Sequence, residues 1–307
     1  MVTRVSIGIC AHNEEGSIPA LFESLLCQVL PESFVLHEIL VVASGCTDRT
    51  DDIVRSWSKI EPRIRLISER YRNGKASSIN QVCERYAGDV LVLVNADASL
   101  FPGSLSTLLE AFDGDDPAKI ACGMPVLENP AGLLGLANAF SWNLHNRTLQ
   151  TLSDLAMPNH CCDELMAIRR GVVEWLPRNL INDGAYIAAL AASQGLSVRF
   201  CPAARVRVKA PGSFSELLMQ RHRILRGHHQ IRRLLGIRPM TLEGVFRQKP
   251  QVAARILGAQ LAKRPSGLLA LLAVALPIEL CASLLAYFDE LRRAEYNALW
   301  PRGHRSA

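Results

Sequence analysis

The sequence predicts an α/β fold built on a mostly parallel sheet, and three observations carry that prediction. Short apolar runs rich in β-branched residues alternate with longer segments whose apolar residues recur at helical spacing. The first four runs each stop abruptly in a polar segment, so those segments would line one rim of the sheet. The run Val90–Val94 is apolar at every position, which suits a central strand buried on both faces. It ends at Asn95-Ala96-Asp97, and open α/β sheets collect their ligands at the carboxyl ends of their strands.

In chain order, Val5–Cys10 is the first strand, and Ala11-His12-Asn13-Glu14-Glu15 is the loop behind it. Ile18–Leu30 repeats apolar residues at helical spacing. Leu36–Val42 is the second strand. Thr47 or Asp48 then offers an N-cap for a helix through Trp57. Ile64–Ile67 is the third strand, and Asn73-Gly74-Lys75 opens a helix with Ile79, Val82 and Cys83 inward. After Asp97 the rhythm changes. Phe101–Phe112 reads as helix and breaks at Asp113-Gly114-Asp115-Asp116-Pro117. Ile120–Val126 and Leu165–Ile168 read as strands, and Leu133–Leu152 and Ile181–Gly195 as helices. Ser197–Phe200 and Arg205–Lys209 look like two further strands, and Ser213–Leu235 is a strong amphipathic helix.

The chain of 307 residues is 49% apolar, enough for a sizeable core and against disorder. Its net charge of +5 is mild and concentrates in Arg205–Lys209 and Arg221–Arg233. That asymmetry favours anionic ligands or an anionic membrane surface. Aromatics are sparse and do not interleave with the basic residues, which argues against nucleic acid. The odd count of nine cysteines and the vicinal pair Cys161-Cys162 suggest reduced thiols in the cytosol. No signal peptide opens the chain, since Met1–Arg4 runs straight into a strand.

Neither a dinucleotide GxGxxG nor a phosphate-loop GxxxxGK[ST] is present. Asn95 and Asp97, two apart on extended chain, point the same way and could hold a hard divalent cation. The plainer alternative is a strand that ends in a turn. Lys75 at a helix start could neutralise a phosphate, or could simply be a solvated lysine. Gln220, Arg223 and Arg226 lie three apart on one helix, as a phosphate-binding face or an ordinary basic one. Gly227 beside them would let another backbone or a ligand approach.

Taken together, Ala11–Glu15, Gly45-Cys46-Thr47-Asp48-Arg49-Thr50, Gly74-Lys75-Ala76 and Asn95-Ala96-Asp97 resemble the family 2 glycosyltransferases of the GT-A fold. Asn182-Asp183 stands where that family carries a Glu-Asp pair. Gln220-x-x-Arg223 resembles its Gln-x-x-Arg-Trp box. The resemblance covers roughly residues 4–235. It implies a GT-A, Rossmann-like, mixed and mostly parallel sheet with flanking helices. It also implies an inverting transferase that moves a sugar from a nucleotide diphosphate donor, a UDP-sugar being the leading expectation. His12, Asn13, Glu14, Ser44, Lys75, Asn95, Asp97, Gln220, Arg223 and Arg226 would bind the donor. Asp97 would hold Mn²⁺ or Mg²⁺, and Asp183 would be the base; read from the residues alone, Asp183 is better suited to capping a helix. The sequence departs from the family at Asn95, where an Asp is usual. It departs again at Ala43-Ser44, where an acid often reads the base, and at Ile224, where an aromatic is expected.

Residues 1–238 would form the catalytic domain and 239–307 a helical C-terminal region punctuated by Pro239 and Pro250. Within it Gly267–Phe288 is long and apolar enough to span a bilayer. Basic residues flank both ends, Lys263 and Arg264 before it and Arg292 and Arg293 after it. A re-entrant or interfacial hairpin bent at Pro277 accommodates both observations. This tail would place the enzyme on the cytoplasmic face of the cell membrane, with a lipid-linked acceptor or a growing polysaccharide of the cell envelope. The alternatives are a decayed transferase that only binds nucleotide sugars or glycans, and a sugar-phosphate nucleotidyltransferase, whose Gly-rich first loop is missing.

Overall fold

The structure is a computed structural model and describes residues 2–115, 117–128, 131–263 and 267–292. Asp116, Arg264, Arg293 and the segment 293–307 lie outside them. The chain runs β1 (Thr3–Ala11), α1 (Ile18–Leu26), β2 (Phe34–Ser44), α2 (Thr50–Ile60), β3 (Ile64–Glu69), α3 (Lys75–Cys83) and β4 (Val90–Asn95). It continues through β5 (Ser99–Leu100), α4 (Ser104–Glu110), β6 (Ile120–Leu127), α5 (Gly132–Asp154), β7 (Leu165–Arg169), α6 (Asp183–Ser193), β8 (Val198–Val208) and α7 (Phe214–Leu235). Helices α8 (Leu242–Gln248) and α9 (Pro250–Lys263) precede a terminal helix, Gly267–Leu291.

The strands form one sheet in the order β3-β2-β1-β4-β7-β6-β8-β5. The first four are mutually parallel, β7 runs antiparallel between β4 and β6, and β8 is parallel to β6. Side-chain alternation divides β4 cleanly. Val90, Val92 and Val94 enter the core under α1, α2 and α4, while Leu91 and Leu93 enter the opposite core with Ile79, Val82 and Ile187. Burial on both faces explains why the run carries no polar residue.

Three elements depart from the sequence reading. Helix α1 stops at Leu26 rather than Leu30. Gln28, outside the helix, donates to the Phe101 carbonyl and accepts from the Leu105 N–H, so it ties β1's flank to α4. The two strands expected over 197–209 are one strand, β8. Its pairing with β6 jumps from Phe200 opposite Cys122 to Arg205 opposite Met124, a bulge that absorbs Pro202. The expected hairpin at Pro277 is absent. The chain runs on as one helix, with a π turn at Leu271–Ala275 just before the proline. That local widening is a common way to accommodate a residue that cannot donate to the ladder.

The tail packs on the sheet domain through α5 and α7. Ala270 and Val274 of the terminal helix meet Phe140 and Leu217, and Ala282 and Ala286 meet Leu225. Ala253 and Val245 cover Leu152.

Candidate active site

The site gathers where β1, β2 and β4 end. His12 Nδ1 donates to the Ser44 carbonyl at 2.7 Å, and Asn13, at φ +55°, accepts from the Thr47 N–H at 2.8 Å. The Glu14 N–H donates to Thr50 Oγ1. Asp48 accepts from the Thr50 hydroxyl, the Thr50 N–H and the Glu15 N–H. Burial tends to raise its carboxyl, but these bonds outweigh that and hold it below the usual range. Helix α2 therefore begins at Thr50, with Asp48 closing the turn before it. Ser44 is buried, and its hydroxyl accepts from the Asn73 N–H. His12, Asn13 and Ser44 thus brace the loops of one rim against one another.

The chemistry centres on Lys75, Asp163 and Asp183. Lys75 Nζ lies 2.9 Å from Asp183 Oδ2 and 3.1 Å from Asp163 Oδ2. Burial alone would lower the ammonium, but the two carboxylates more than compensate and hold its pKa above the ordinary lysine range. The sequence reading gave Lys75 to a phosphate; its partners are instead two acids, one of them the expected base. The two acids split. Burial tends to raise both, yet Lys75 brings Asp163 below the usual carboxylate range, while Asp183 stays above it. Glu164, half-buried next to Asp163, is pushed up to about 8 by desolvation and by the Asp163 charge.

Asp183 is free of capping duty. Asn182 is the N-cap of α6 and its side chain accepts the Ala185 N–H at 3.0 Å. Asp183, the first helical residue, turns to Lys75 and is 4% exposed. Its placement depends on close backbone approach. A Cβ on Gly184 would stand 2.9 Å from the Asp163 Cβ, and one on Gly227 2.8 Å from the Asn182 Cβ. The loop before β7, the start of α6 and the middle of α7 therefore converge at van der Waals distance. Buried Gln230 of α7 locks that junction, accepting from the Ile181 N–H and donating to the Asn179 carbonyl.

Helix α7 spreads its polar residues more widely than a single ligand would need. Arg223 donates to the Ile181 carbonyl at 3.1 Å, with Asp183 and Asp163 near enough to favour its charge. Gln220 is half-buried one turn before it. Arg226 departs from the expectation of a shared phosphate face: its Nε pairs with Asp289 of the terminal helix at 3.2 Å. Arg72, in the loop before α3, was not singled out by the sequence. Burial and the nearby Arg223 lower its pKa, which marks a concentration of positive charge at the mouth.

Asn95 ends β4, where its N–H donates to the Glu164 carbonyl and its carbonyl accepts from the Ala98 N–H, so Asp97 lies in the turn that closes the strand. Among the described residues no cluster of three metal-ligating side chains exists. The oxygen donors of Asp97 and Asn95 fit a hard cation that draws its remaining ligands from substrate phosphates and water.

The family model described as glycosyl transferase family 2 matches residues 6–176, more than half of the chain. The chain belongs to glycosyl transferase family 2. Its mixed sheet with flanking helices is the GT-A fold. A solved structure of similar fold is the mannosyltransferase PcManGT from Pyrobaculum calidifontis in complex with GDP-Man and Mn²⁺. It has a TM-score of 0.64 and 20% identity, over 96% of this chain and 89% of that one. The probable glycosyltransferase YdaM of Bacillus subtilis is 26% identical over 74% of this chain and 56% of its own length. A dolichyl-phosphate beta-glucosyltransferase of Trichomonas vaginalis, ALG5A, is 27% identical over 31% of each chain. The chain thus spans little more than half the length of YdaM.

Proposed function

We propose that this family 2 member transfers a sugar, with inversion, from a nucleotide diphosphate donor to a hydroxyl acceptor, and that it works at a membrane surface. One observation carries the catalytic part. Asp183 is a buried carboxylate that caps nothing, is more basic than its neighbour Asp163, and sits at the ligand rim of the sheet. Two acids whose environments push their pKa values apart divide the labour: Asp163 balances Lys75, and Asp183 accepts a proton.

In the reaction the acceptor hydroxyl gives its proton to Asp183. Its oxygen bonds to the anomeric carbon as the carbon–oxygen bond to the diphosphate breaks, and the electron pair leaves with the diphosphate. Arg223 and Arg72 place positive charge where that negative charge grows. Asp97, with Asn95, would hold a divalent cation, which supplies Lewis-acid stabilisation of the leaving diphosphate when bound. The Mn²⁺ in the PcManGT complex supports a divalent cation here.

The membrane part rests on the terminal helix, which is inside out for water. Its acids face protein: Glu279 takes both arms of Arg221 at 2.7 and 2.9 Å, Asp289 meets His222 and Arg226, and Glu290 meets His229, Arg232 and Arg233. Its exposed residues include Leu268, Leu269, Leu272, Leu276, Leu280, Leu284 and Phe288. Each such side chain gains about 1.5–3 kcal/mol on burial. Spanning would instead carry Glu279 into the middle of the hydrocarbon at about 3 kcal/mol and break the pairs that Asp289 and Glu290 make with α7. The helix therefore lies in the interface, backed by α7, with its leucines in lipid. The nine cysteines are all free, which suits the cytoplasmic side.

The test of the base is Asp183→Asn. It keeps size and helix-start chemistry but accepts no proton. With Mn²⁺ and a panel including UDP-glucose and GDP-mannose, sugar-nucleotide binding should persist while transfer falls by about a hundredfold or more. Full turnover in the variant removes Asp183 from the mechanism.

A further inference from the structure

Three imidazoles from three separate elements meet behind the carboxylates. His145 comes from α5, His160 from the loop before β7, and His228 from α7. Ring centroids are 5.6 Å apart between His145 and His160 and 6.3 Å between His160 and His228, all edge-on, with Trp142 at 5.7 Å from His145. His160 is only 8% exposed. Its Nδ1 and the Nε2 of His228 are buried without a protein hydrogen-bond partner among the described residues. Buried polar nitrogens are nearly always paired, so two in one cluster point to a ligand.

Position says which ligand. His160 lies three residues before Asp163, whose carboxylate shares Lys75 with Asp183 and whose charge reaches both His145 and His160. Arg221, close to all three rings, marks the other side, and it is held by Glu279 of the terminal helix. The cluster thus stands between the proposed base and the proposed membrane face.

Charge says which chemistry. Burial first, then the neighbouring ring of His160 and Arg221, push His145 down to about 3, and His160 and His228 are lowered as well. The rings are neutral, and each offers one donor and one acceptor. Arg221, the cation beside them, is neutralised by a bidentate pair. Such a set suits hydroxyl groups and offers little to a phosphate.

We propose that His145, His160 and His228, with Trp142, form the acceptor subsite and take an uncharged, hydroxyl-rich head, such as a sugar ring or a glycerol, whose reacting hydroxyl then reaches Asp183. This rests on the transferase reading above and deepens it: the nucleophile is a hydroxyl oxygen and not a phosphate oxygen, whatever lipid carries it.

The test measures nucleoside diphosphate release from the sugar nucleotide that the full chain hydrolyses fastest with Mn²⁺. Release is compared in water alone and with octyl β-glucoside, dioctanoylglycerol or farnesyl phosphate. One of the two hydroxyl probes should accelerate release. His160→Phe and His228→Phe, which keep a ring and remove its nitrogens, should cut that acceleration about tenfold relative to release in water. The KM for the hydroxyl probe should rise. His160→Gln, which restores a hydrogen-bonding end, should recover part of the loss, and the exposed His37→Phe serves as the control. Undiminished acceleration in His160→Phe overturns the subsite, and so does acceleration by farnesyl phosphate alone. A wild type that hydrolyses no sugar nucleotide in the panel overturns the transferase reading instead.

Discussion

At the scale of single residues, two glycines decide where the base stands. Gly227→Ala would drive a methyl to 2.8 Å from the Asn182 Cβ, with the Asn182 N and the Ile181 Cγ2 at 3.4 Å, so the start of α6 must shift. We expect a loss of about 1–3 kcal/mol in stability, the usual cost of overpacking, and a larger proportional loss of transfer because Asp183 moves with Asn182. Thermal melting and turnover measured side by side check this, and undisturbed turnover would show that the junction tolerates slack. Asp97→Ala should remove the divalent-ion dependence of sugar-nucleotide binding, read by calorimetry with and without Mn²⁺. Equal affinities in mutant and wild type would discharge Asp97 from that role. The placement of Asp97 just past a strand and of Asp183 at a helix start was legible in the sequence, while the role of Asp183 as base came only from the family resemblance. Asp163 was not legible. It belongs to no motif, and only the folded chain brings it to Lys75, just as only the folded chain brings Asp289 to Arg226.

At the scale of elements, β4 was readable because it is buried on both faces and apolar from Val90 to Val94, and β1 and β2 because their central residues Val5–Ile9 and Ile39–Ala43 are buried and mostly apolar. Strand β3, whose Arg65 and Ser68 are exposed, was readable from its short apolar run alone. Strand β5 is two residues long and leaves no periodic signature. The terminal helix was readable in length and composition but not in shape. Pro277 read as a bend, whereas the π turn before it takes up the missing donor. Its azimuth was unreadable too, since a hydropathy window is blind to which side the acids occupy. The proposed interfacial placement makes a sharp prediction. Leu280→Glu combined with Leu284→Glu should abolish flotation with vesicles containing anionic lipid while leaving the ion pairs to α7 intact. Retained flotation would mean that these leucines do not face lipid.

At the scale of the whole molecule, the imidazole cluster ties stability to acidity. Each of His145, His160 and His228 has its pKa lowered by folding, so the unfolded chain binds more protons below about pH 6.5. The contribution is fully present above that pH and is lost as pH falls towards the folded value, about 3 for His145. Within that window each ring costs up to about 1.4 kcal/mol per pH unit. The melting temperature should therefore drop steeply between pH 6.5 and 5, and His145→Phe should flatten part of the drop; an unchanged slope would show that the ring titrates alike in both states. The ion pairs between α7 and the terminal helix have a different reach. A helix pinned along its length by Arg221, Arg226 and Arg232 cannot roll about its own axis. On the membrane reading, a protein resting on that helix would keep a fixed tilt while remaining free to spin and drift. Its search for acceptor would be two-dimensional, and turnover would follow the acceptor's mole fraction in the bilayer rather than its bulk concentration.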